Sequence, residues 1–386
     1  MRKKFLTFGS PLIEQPEIDE VVDSLKNSWL GTGPKVKKFE EAFREYKGAQ
    51  YAIALNSCTA ALHLSMLALD IGPGDEVLVP TMTFVATANV VIHSGATPVL
   101  VDCERTSMNI DIVEAEKKIT KKTKAIIPVH MAGRSCNMDA VLALAKKYNL
   151  KVVEDCAHAI ETEYHGKKAG TFGDIGCFSF YSTKNLVTGE GGMAITDNNE
   201  YANKIKILAL HGMSADAWKR FSDEGYKHYQ VIYPGYKYNM MDLQAALGIH
   251  QLKRINKYWL RRQKVWNTYN KKLKDLPVFL PAPIELNTRH AYHLFTLLLD
   301  TDKLKITRDV FLNEMTKHKI GVGVHFIAIH QHPYYKKRFN YKKGDFPNAD
   351  WISDRTVSLP LSPKLTNEDV EDVVEAVTSI LTKYAK

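Results

Sequence analysis

Cys177-Phe-Ser-Phe-Tyr-Ser-Thr-Lys184-Asn-Leu-Val-Thr-Gly-Glu-Gly-Gly192 is the stretch on which the fold turns. Residues Gly176 to Tyr181 form a short apolar run of strand character that delivers one lysine to a glycine-rich turn. Upstream, Val152-Val-Glu-Asp155-Cys-Ala-His158 ends another apolar run in a carboxylate. A lone lysine at a strand end is most often a solvated surface cation. Paired with a strand-end aspartate, it meets the needs of a pyridoxal 5'-phosphate (PLP) site. The Lys184 amine condenses with the aldehyde, and the Asp155 carboxylate keeps the pyridine nitrogen protonated so that the ring accepts electrons.

Outward from this stretch, short apolar runs alternate with helical patterns from residue 36 to about residue 250. Val36, Phe39, Phe43 and Tyr46 recur at spacings of three and four, an amphipathic helix. Strands are predicted at Tyr51–Leu55, Glu76–Pro80, Pro98–Val101, Ala125–His130 and Lys151–Glu154, with helices at Thr59–Leu69, Ala86–His93 and Met138–Tyr148. This alternation predicts an α/β protein with a mostly parallel central sheet and helices on both faces. The carboxyl ends of such strands gather on one edge, where ligands bind, and Asp102, His130 and Asp155 lie at or beside them. From Met213 to Pro234 periodicity fails, which predicts a long exposed loop, functional or mobile rather than inert. Helical pattern resumes at Met241–Leu252 and runs to about Leu273. Beyond Pro281, strands at Tyr292–Leu299 and Gly321–Phe326 and helices at Arg308–Lys317 and Asn367–Leu381 predict a smaller C-terminal α+β domain. The expected division is a large PLP-binding domain over 1–255, including the N-terminal segment, and a small domain over 256–386.

The 386 residues carry 52 Lys and Arg against 43 Asp and Glu, a net charge of +9 that favours an anionic partner such as a phosphate-bearing substrate. No basic helix or aromatic–basic stripe accompanies that charge, which argues against a nucleic-acid partner. Cys58, Cys103, Cys136, Cys156 and Cys177 contain no C-x-x-C pair and sit among apolar or small neighbours. They are expected to be buried free thiols of a reducing compartment. The N-terminus lacks a signal-peptide core, and no run approaches the ~18 apolar residues that span a bilayer. A cytoplasmic protein without membrane partners is expected.

Several constellations surround the lysine and the aspartate. In Asn56-Ser57-Cys58-Thr59 a strand ends and a helix begins; Ser57 or Thr59 can cap that helix, whose free N–H groups form an anion site. An ordinary cap is the commoner use of such a sequence. Ser179 could add a second hydroxyl to the same anion. Ala157 is small enough to lie against a flat ring, and His158 could bond its phenolic oxygen. Phe84, in Pro80-Thr-Met-Thr-Phe84-Val-Ala-Thr, could stack on the ring, although core packing is the usual fate of a phenylalanine. Lys237 and Asn239, in Gly-Tyr-Lys237-Tyr-Asn239, are free to meet a ligand or a partner subunit, and Ala245, Ala246 and Gly248 predict close helix packing. His325, His330 and His332 crowd one segment, but no further Cys or His stands at structural zinc spacing, so no metal is expected. That aromatic–histidine surface suits a base or a sugar better.

Together these motifs resemble the DegT/DnrJ/EryC1/StrS family of PLP-dependent nucleotide-sugar aminotransferases. The resemblance is carried nearly end to end by Gly31-Thr-Gly-Pro-Lys-Val-Lys-Lys-Phe-Glu40, Gly72-Pro-Gly-Asp-Glu-Val77, Val129-His-Met-Ala-Gly133, Thr188-Gly-Glu-Gly-Gly192, His211-Gly212 and Ser358-Leu-Pro-Leu-Ser-Pro363. It implies PLP-enzyme fold type I, similar to aspartate aminotransferase. It implies Lys184 at the Schiff-base position, Asp155 at the pyridinium nitrogen and His158 beside the phenolic oxygen. Cys58, Thr59 and Ser179 fall at the phosphate contacts and Phe84 at the stacking aromatic. The resemblance also implies a homodimer with shared active sites, lent by the segment with Lys237 and Asn239. Two positions depart from the pattern: Cys58 stands where Gly or Ala is common, and Gly-Tyr-Lys237-Tyr-Asn239 replaces Gly-Tyr-Asn-Tyr-Arg, leaving the cross-subunit phosphate ligand open between Lys237 and Asn239. The variant resembles enzymes that use L-glutamate to aminate carbon 4 of UDP-linked 4-keto sugars. Trp29, Thr32, His325 and His330 are the expected substrate contacts. The alternatives are amination of carbon 3 on a dTDP- or GDP-keto sugar and a catalytically silent binding protein; a dehydratase of the family generally carries His at the lysine position, and Lys184 argues against it.

Overall fold

The computed structural model describes residues 2–214 and 230–386. Most of the loop expected between Met213 and Pro234 lies outside the described residues; its ends meet in a bridge between Met213 and Val231.

Seven strands form the central sheet: β1 (Tyr51–Leu55), β2 (Glu76–Pro80), β3 (Thr97–Val101), β4 (Thr123–Ile126), β5 (Lys151–Asp155), β8 (Ile175–Ser179) and β9 (Gly192–Thr196). Two short strands, β6 (Glu163–Tyr164) and β7 (Lys167–Lys168), make a side hairpin joined by β11 (Thr288–Arg289). The order is β1-β9-β8-β5-β4-β2-β3. β9 runs antiparallel to β1 and β8, while β8, β5, β4, β2 and β3 pair in parallel. Near-continuous apolar strands are what a doubly covered sheet demands. Val77 and Val79 of β2 face one buried cluster and Leu78 the other. One face is covered by α3 (Cys58–Ala68), α4 (Ala86–His93) and α7 (Asn199–Ala209). The opposite face packs on α2 (Pro34–Lys47), α5 (Ile112–Lys117), α6 (Met138–Tyr148) and α8 (Asp242–Lys253), with α1 (Gln15–Lys26) laid along α8. The small residues of α8 serve close packing: a Cβ on Gly248 would lie 2.7 Å from the Phe39 ring.

A second, antiparallel sheet pairs β10 (Val278–Phe279), β12 (Phe295–Leu299) and β13 (Thr356–Leu359). Its core is shared with α9 (Ile255–Leu273), α10 (Arg308–Lys317) and α13 (Asn367–Lys383). The expected division at residues 255 and 256 falls at the start of α9. The chain crosses it twice. Leu6 packs on the core of the small sheet, and the segment from Ala328 through α11 (Pro333–Phe339) and α12 (Pro347–Ser353) packs on that of the large one.

Three expected strands differ. Gly321–Phe326 joins no ladder: Ile320 bridges Leu6 and Gly323 bridges Ser358, one contact on each side. The ladder expected over Ala125–His130 stops at Ile126, before Pro128, which has no N–H to give. The strand expected from Tyr292 begins at Phe295, because the amides of Ala291, His293 and Leu294 bond instead to the carbonyls of Gly133 and Ala132.

Candidate active site

Asp155 closes β5 and is buried. Its Oδ1 accepts the Ala157 N–H at 3.1 Å and its Oδ2 the Thr87 hydroxyl at 2.9 Å. Burial pushes the carboxyl up from the usual range, against those two donors and the charge of Lys184. Among the described residues no cation lies within ion-pairing distance of it. Behind it, His130 Nε2 meets Glu154 at 3.1 Å, and Glu154 also accepts the N–H groups of Gly170, Phe172 and Gly173. With Cys156 these two residues are the one group among the described residues able to surround a metal ion. The Cys136 N–H occupies the other histidine nitrogen, so the chain itself satisfies that cluster.

Lys184 follows β8 on a turn closed by its own N–H to the Tyr181 carbonyl at 2.8 Å. Burial of the amine brings it down to about 8, opposed by the Cys58 and Asp155 side chains. A half-neutral amine at neutral to mildly basic pH is a nucleophile and a proton carrier; an ordinary lysine is neither.

Strand register brings the anion site to this lysine. Gly192 pairs with Leu55 of β1 on one side and Ser179 of β8 on the other. A Cβ on Gly192 would lie 2.5 Å or less from the Ser57 carbonyl group and the Cys58 nitrogen. Only glycine lets the start of α3 settle over β9. Ser57 caps the helix, its Oγ accepting the Ala60 N–H at 3.1 Å, a bond worth about 1 kcal/mol. The N–H groups of Cys58 and Thr59 have no acceptor among the described residues, and the Thr59 side chain is exposed. The Cys58 thiol is buried and pushed well up by that burial, so it remains protonated.

His158 accepts the Ala132 N–H on Nδ1 at 3.2 Å, which leaves Nε2 as the proton-bearing nitrogen. Burial and the Lys184 charge hold its imidazole neutral. Its ring lies 6.0 Å from Phe326, nearly parallel, and Phe326 lies 5.9 Å from Phe84. Phe84 is 58% exposed, so it is no core residue and has a face free for a ligand. Ala157 is half-buried, its N–H on Asp155.

The expected substrate residues separate. His325 lies near Lys184; burial and the lysine's charge bring its imidazole down to about 4, and its Nδ1 is 2.9 Å from the Ser358 hydroxyl. His330 is a correction. It is fully buried, with Nδ1 on the Thr81 hydroxyl at 2.9 Å and Nε2 on Asp350 at 2.9 Å, so it ties α12 to the end of β2 instead of lining a surface. Trp29, Thr32, Lys237 and Asn239 form a second group at the end of β1. Asn239 pairs with Leu55, its amide donates to the Thr32 hydroxyl at 2.7 Å, and Trp29 Nε1 donates to the Thr32 carbonyl at 3.4 Å. Lys237 bridges Leu210 through its backbone, and its side chain is exposed.

Three contributors lie outside the sequence reading. Thr87 stands one helical turn beyond Phe84, a spacing that could have flagged it. Asn185 adjoins Lys184 directly. His293, 4.4 Å from His158, gives no sequence signal.

A buried carboxylate without a cation and a buried amine poised near neutrality are each costly alone. A planar pyridinium bearing an aldehyde satisfies both, so the residues present fit PLP. Asp155 would meet its ring nitrogen, Lys184 its aldehyde and His158 its phenolic oxygen; the start of α3 with Ser179 would meet its phosphate. Fold and site together define a PLP-dependent transaminase of fold type I. Residues 11–378 match the DegT/DnrJ/EryC1/StrS aminotransferase family, and the chain belongs to it. It is 52% identical over 383 residues to protein MJ1066 of Methanocaldococcus jannaschii, covering 99% of each chain. It is 49% identical to the spore coat polysaccharide biosynthesis protein SpsC of Bacillus subtilis, covering 98% of each. Among solved structures, the putative sugar aminotransferase Spr1654 of Streptococcus pneumoniae in its PMP form superposes with a TM-score of 0.91 at 33% identity, over 98% of each chain.

Proposed function

We propose that this enzyme moves the amino group of L-glutamate onto carbon 4 of a UDP-linked 4-keto sugar, in the synthesis of amino sugars for a surface polysaccharide. The observation that carries the reading is the pairing of the depressed Lys184 amine with the buried Asp155 carboxylate at adjoining strand ends. The sugar is supported by SpsC, whose name places it in polysaccharide synthesis, and by Spr1654, described as a putative sugar aminotransferase. The choice of carbon 4 and UDP rests on the Gly-Tyr-Lys237-Tyr-Asn239 variant, and the charge of +9 suits a diphosphate. The reading divides the chain into a PLP-binding domain over 1–255 and a smaller one over 256–386. It places the protein in the cytoplasm, in keeping with five buried free cysteines and with the absence, among the described residues, of a helix long and apolar enough to cross a membrane.

When bound, PLP supplies the electron sink for the carbon that loses its proton. The chain supplies the rest. Asp155, fixed by Thr87 and Ala157, presents its carboxylate in one orientation and keeps the facing nitrogen protonated. His158 offers an Nε2–H from a neutral ring, which adds no charge beside Lys184. Lys184, close to half-neutral near pH 8, would take the proton from the substrate carbon and return it on the cofactor side of the shared nitrogen. The exposed Phe84 ring would cover one face of the cofactor, and Ala157 is small enough to lie against the other.

A panel of UDP-, dTDP- and GDP-linked 3-keto and 4-keto sugars, each offered with glutamate to the PLP-loaded enzyme, tests the specificity. Turnover should be highest with a UDP-4-keto sugar, and NMR of the product should place nitrogen on carbon 4. Turnover confined to 3-keto dTDP- or GDP-sugars would overturn that choice and leave the transaminase class intact.

The same reading makes the active unit a two-fold dimer. Ile18, Val22 and Leu25 line the outer face of α1 at spacings of four and three, next to Trp29 and Leu30; all five are at least 39% exposed. An apolar stripe of that extent beside Lys237 and Asn239 suits a second copy of the chain. Mixing inactive Lys184→Ala chains with inactive Lys237→Ala/Asn239→Ala chains should restore activity through heterodimers with one intact site. No recovery despite demonstrated subunit exchange would argue that each chain completes its own site.

A further inference from the structure

A chain of hydrogen bonds runs from the interior of the protein to Asn185, the residue after Lys184, and on through His293 and Ala132 to His158. It starts at Arg262, fully buried, whose guanidinium bonds the equally buried Glu161 carboxylate. The other oxygen of Glu161 accepts from Asn185 Nδ2 at 2.8 Å, and the same NH2 group donates to the Ala291 carbonyl at 2.9 Å. The Ala291 carbonyl has no proton to give, so the Asn185 amide cannot be turned over without placing oxygen against oxygen there; at Glu161 burial pushes the carboxyl up and Arg262 opposes it, favouring the ionised form. Its Oδ1 therefore faces His293 Nδ1, 3.0 Å away, and that nitrogen must carry the ring proton. His293 lies 4.4 Å from the His158 ring, and the backbone N–H groups of His293 and Leu294 both donate to the Ala132 carbonyl. The N–H of Ala132 in turn fixes His158. Asn185 is the residue after Lys184, so one amide anchors the lysine turn and the histidine stack together.

We propose that Asn185 and His293 are positioning residues for this transaminase: Asn185, held by Arg262 and Glu161, sets the register of the Lys184 turn and locks His293 as its Nδ1–H tautomer, and His293 holds the His158 ring where its Nε2–H reaches the phenolic oxygen of the cofactor. The three histidines around Lys184 are neutral through burial, and the chain of hydrogen bonds fixes the tautomers of two of them, His293 and His158. His158, His293 and His325 are all depressed by burial, and each feels the lysine's charge. Besides Lys184, the titratable groups acting on His293 are His325, His290 and Arg262, the last paired with Glu161. The inference rests on the roles given above to Lys184 and His158, and the experiment separates its failure from theirs.

Two neutral variants serve as probes, Asn185→Leu and His293→Phe, since neither adds charge near the amine. In the PLP-loaded enzyme the visible absorbance of the cofactor is titrated with pH. With His158 displaced, the phenolic oxygen loses its outside donor and retains the shared proton longer, so the midpoint should rise by about one unit in both variants. Turnover should fall by about 10- to 100-fold, as when an outer partner that orients a working side chain is removed, while KM for glutamate changes less than about threefold. An unchanged midpoint and turnover in folded variants would overturn the proposal. If the variants do not fold, 15N NMR of the wild-type apo-protein decides: His293 in the Nδ1–H form and His158 in the Nε2–H form support the proposal, and either opposite tautomer overturns it. Borohydride reduction of the loaded wild type, followed by peptide mapping, reports on the foundation: a label on any lysine other than Lys184 would remove the underlying reading instead.

Discussion

Lys184→Ala should lower amino transfer by ~10⁴-fold or more, because covalent capture and proton transfer vanish together. Binding of the cofactor should survive in weakened form, since Asp155, His158 and the capped start of α3 do not depend on the lysine. A pH experiment isolates the cause. Labelling of the wild-type apo-protein with an amine-directed reagent, read by peptide mapping, should show the Lys184 peptide reacting anomalously early with a midpoint of about 8, a value to which burial also brings Lys47 on a separate peptide. Burial depresses the Lys184 amine, so its reactive neutral form is present above that pH and lost as pH falls through it. The component should be missing from Lys184→Ala. Residual turnover within tenfold of wild type, or an unchanged labelling profile, would remove Lys184 from its role.

Asp155→Asn should fold and retain PLP within about tenfold in affinity, yet lose ~10²- to 10⁴-fold in rate, the span a positioned acid–base partner supplies. An asparagine Oδ1 can still accept the Ala157 N–H, and its Nδ2 can donate to the Thr87 hydroxyl oxygen, whose own proton has the Phe84 carbonyl as acceptor, so the local geometry is preserved with one bond reversed. It cannot supply a negative charge to a facing ring nitrogen, and the electron sink weakens. The comparison is clean because Asp155 has no other cation to satisfy among the described residues. A near-normal rate would reduce Asp155 to a cap for the turn after β5.

Elements with a strong local period were predicted to the residue. β1, β2, α4, α6 and α10 have the expected bounds, because each couples a long apolar face to a clear stop signal. Gly321–Phe326 has the composition of a strand, but strand formation needs neighbours, and here the N-terminal segment and β13 each offer a single bridge. β9 was not anticipated: its glycine start and alanine interior give little pattern, and its place is set by β1 and β8 on either side. The same division runs through the site. Lys184, Asp155 and Ser57 stand at ends of elements, where chemistry and chain direction announce themselves. Thr87 touches Asp155 across 68 residues of sequence and His293 touches Asn185 across 108, pairings that only the packed chain creates. His330 shows the converse: a histidine among aromatics suggests a ligand surface, but Thr81 and Asp350 claim both of its nitrogens.

The insertion of β9 between β1 and β8 has a kinetic side. Tyr51 pairs with Thr196 and Leu55 with Gly192, so the anion cradle at Ser57–Thr59 and the turn bearing Lys184 adjoin only after a very long stretch of chain has been gathered in. Closing such a loop costs entropy before any contact repays it, which places completion of the pocket late on the folding route. A nascent chain ending before β9 would carry Asp155 and Lys184 with nothing to bring the phosphate cradle beside them. Cofactor capture then becomes a report on finished folding. A ligand that binds only the native chain also stabilises it by mass action, and here that stabilisation would fall on the sheet's antiparallel seam, where the most distant segments meet.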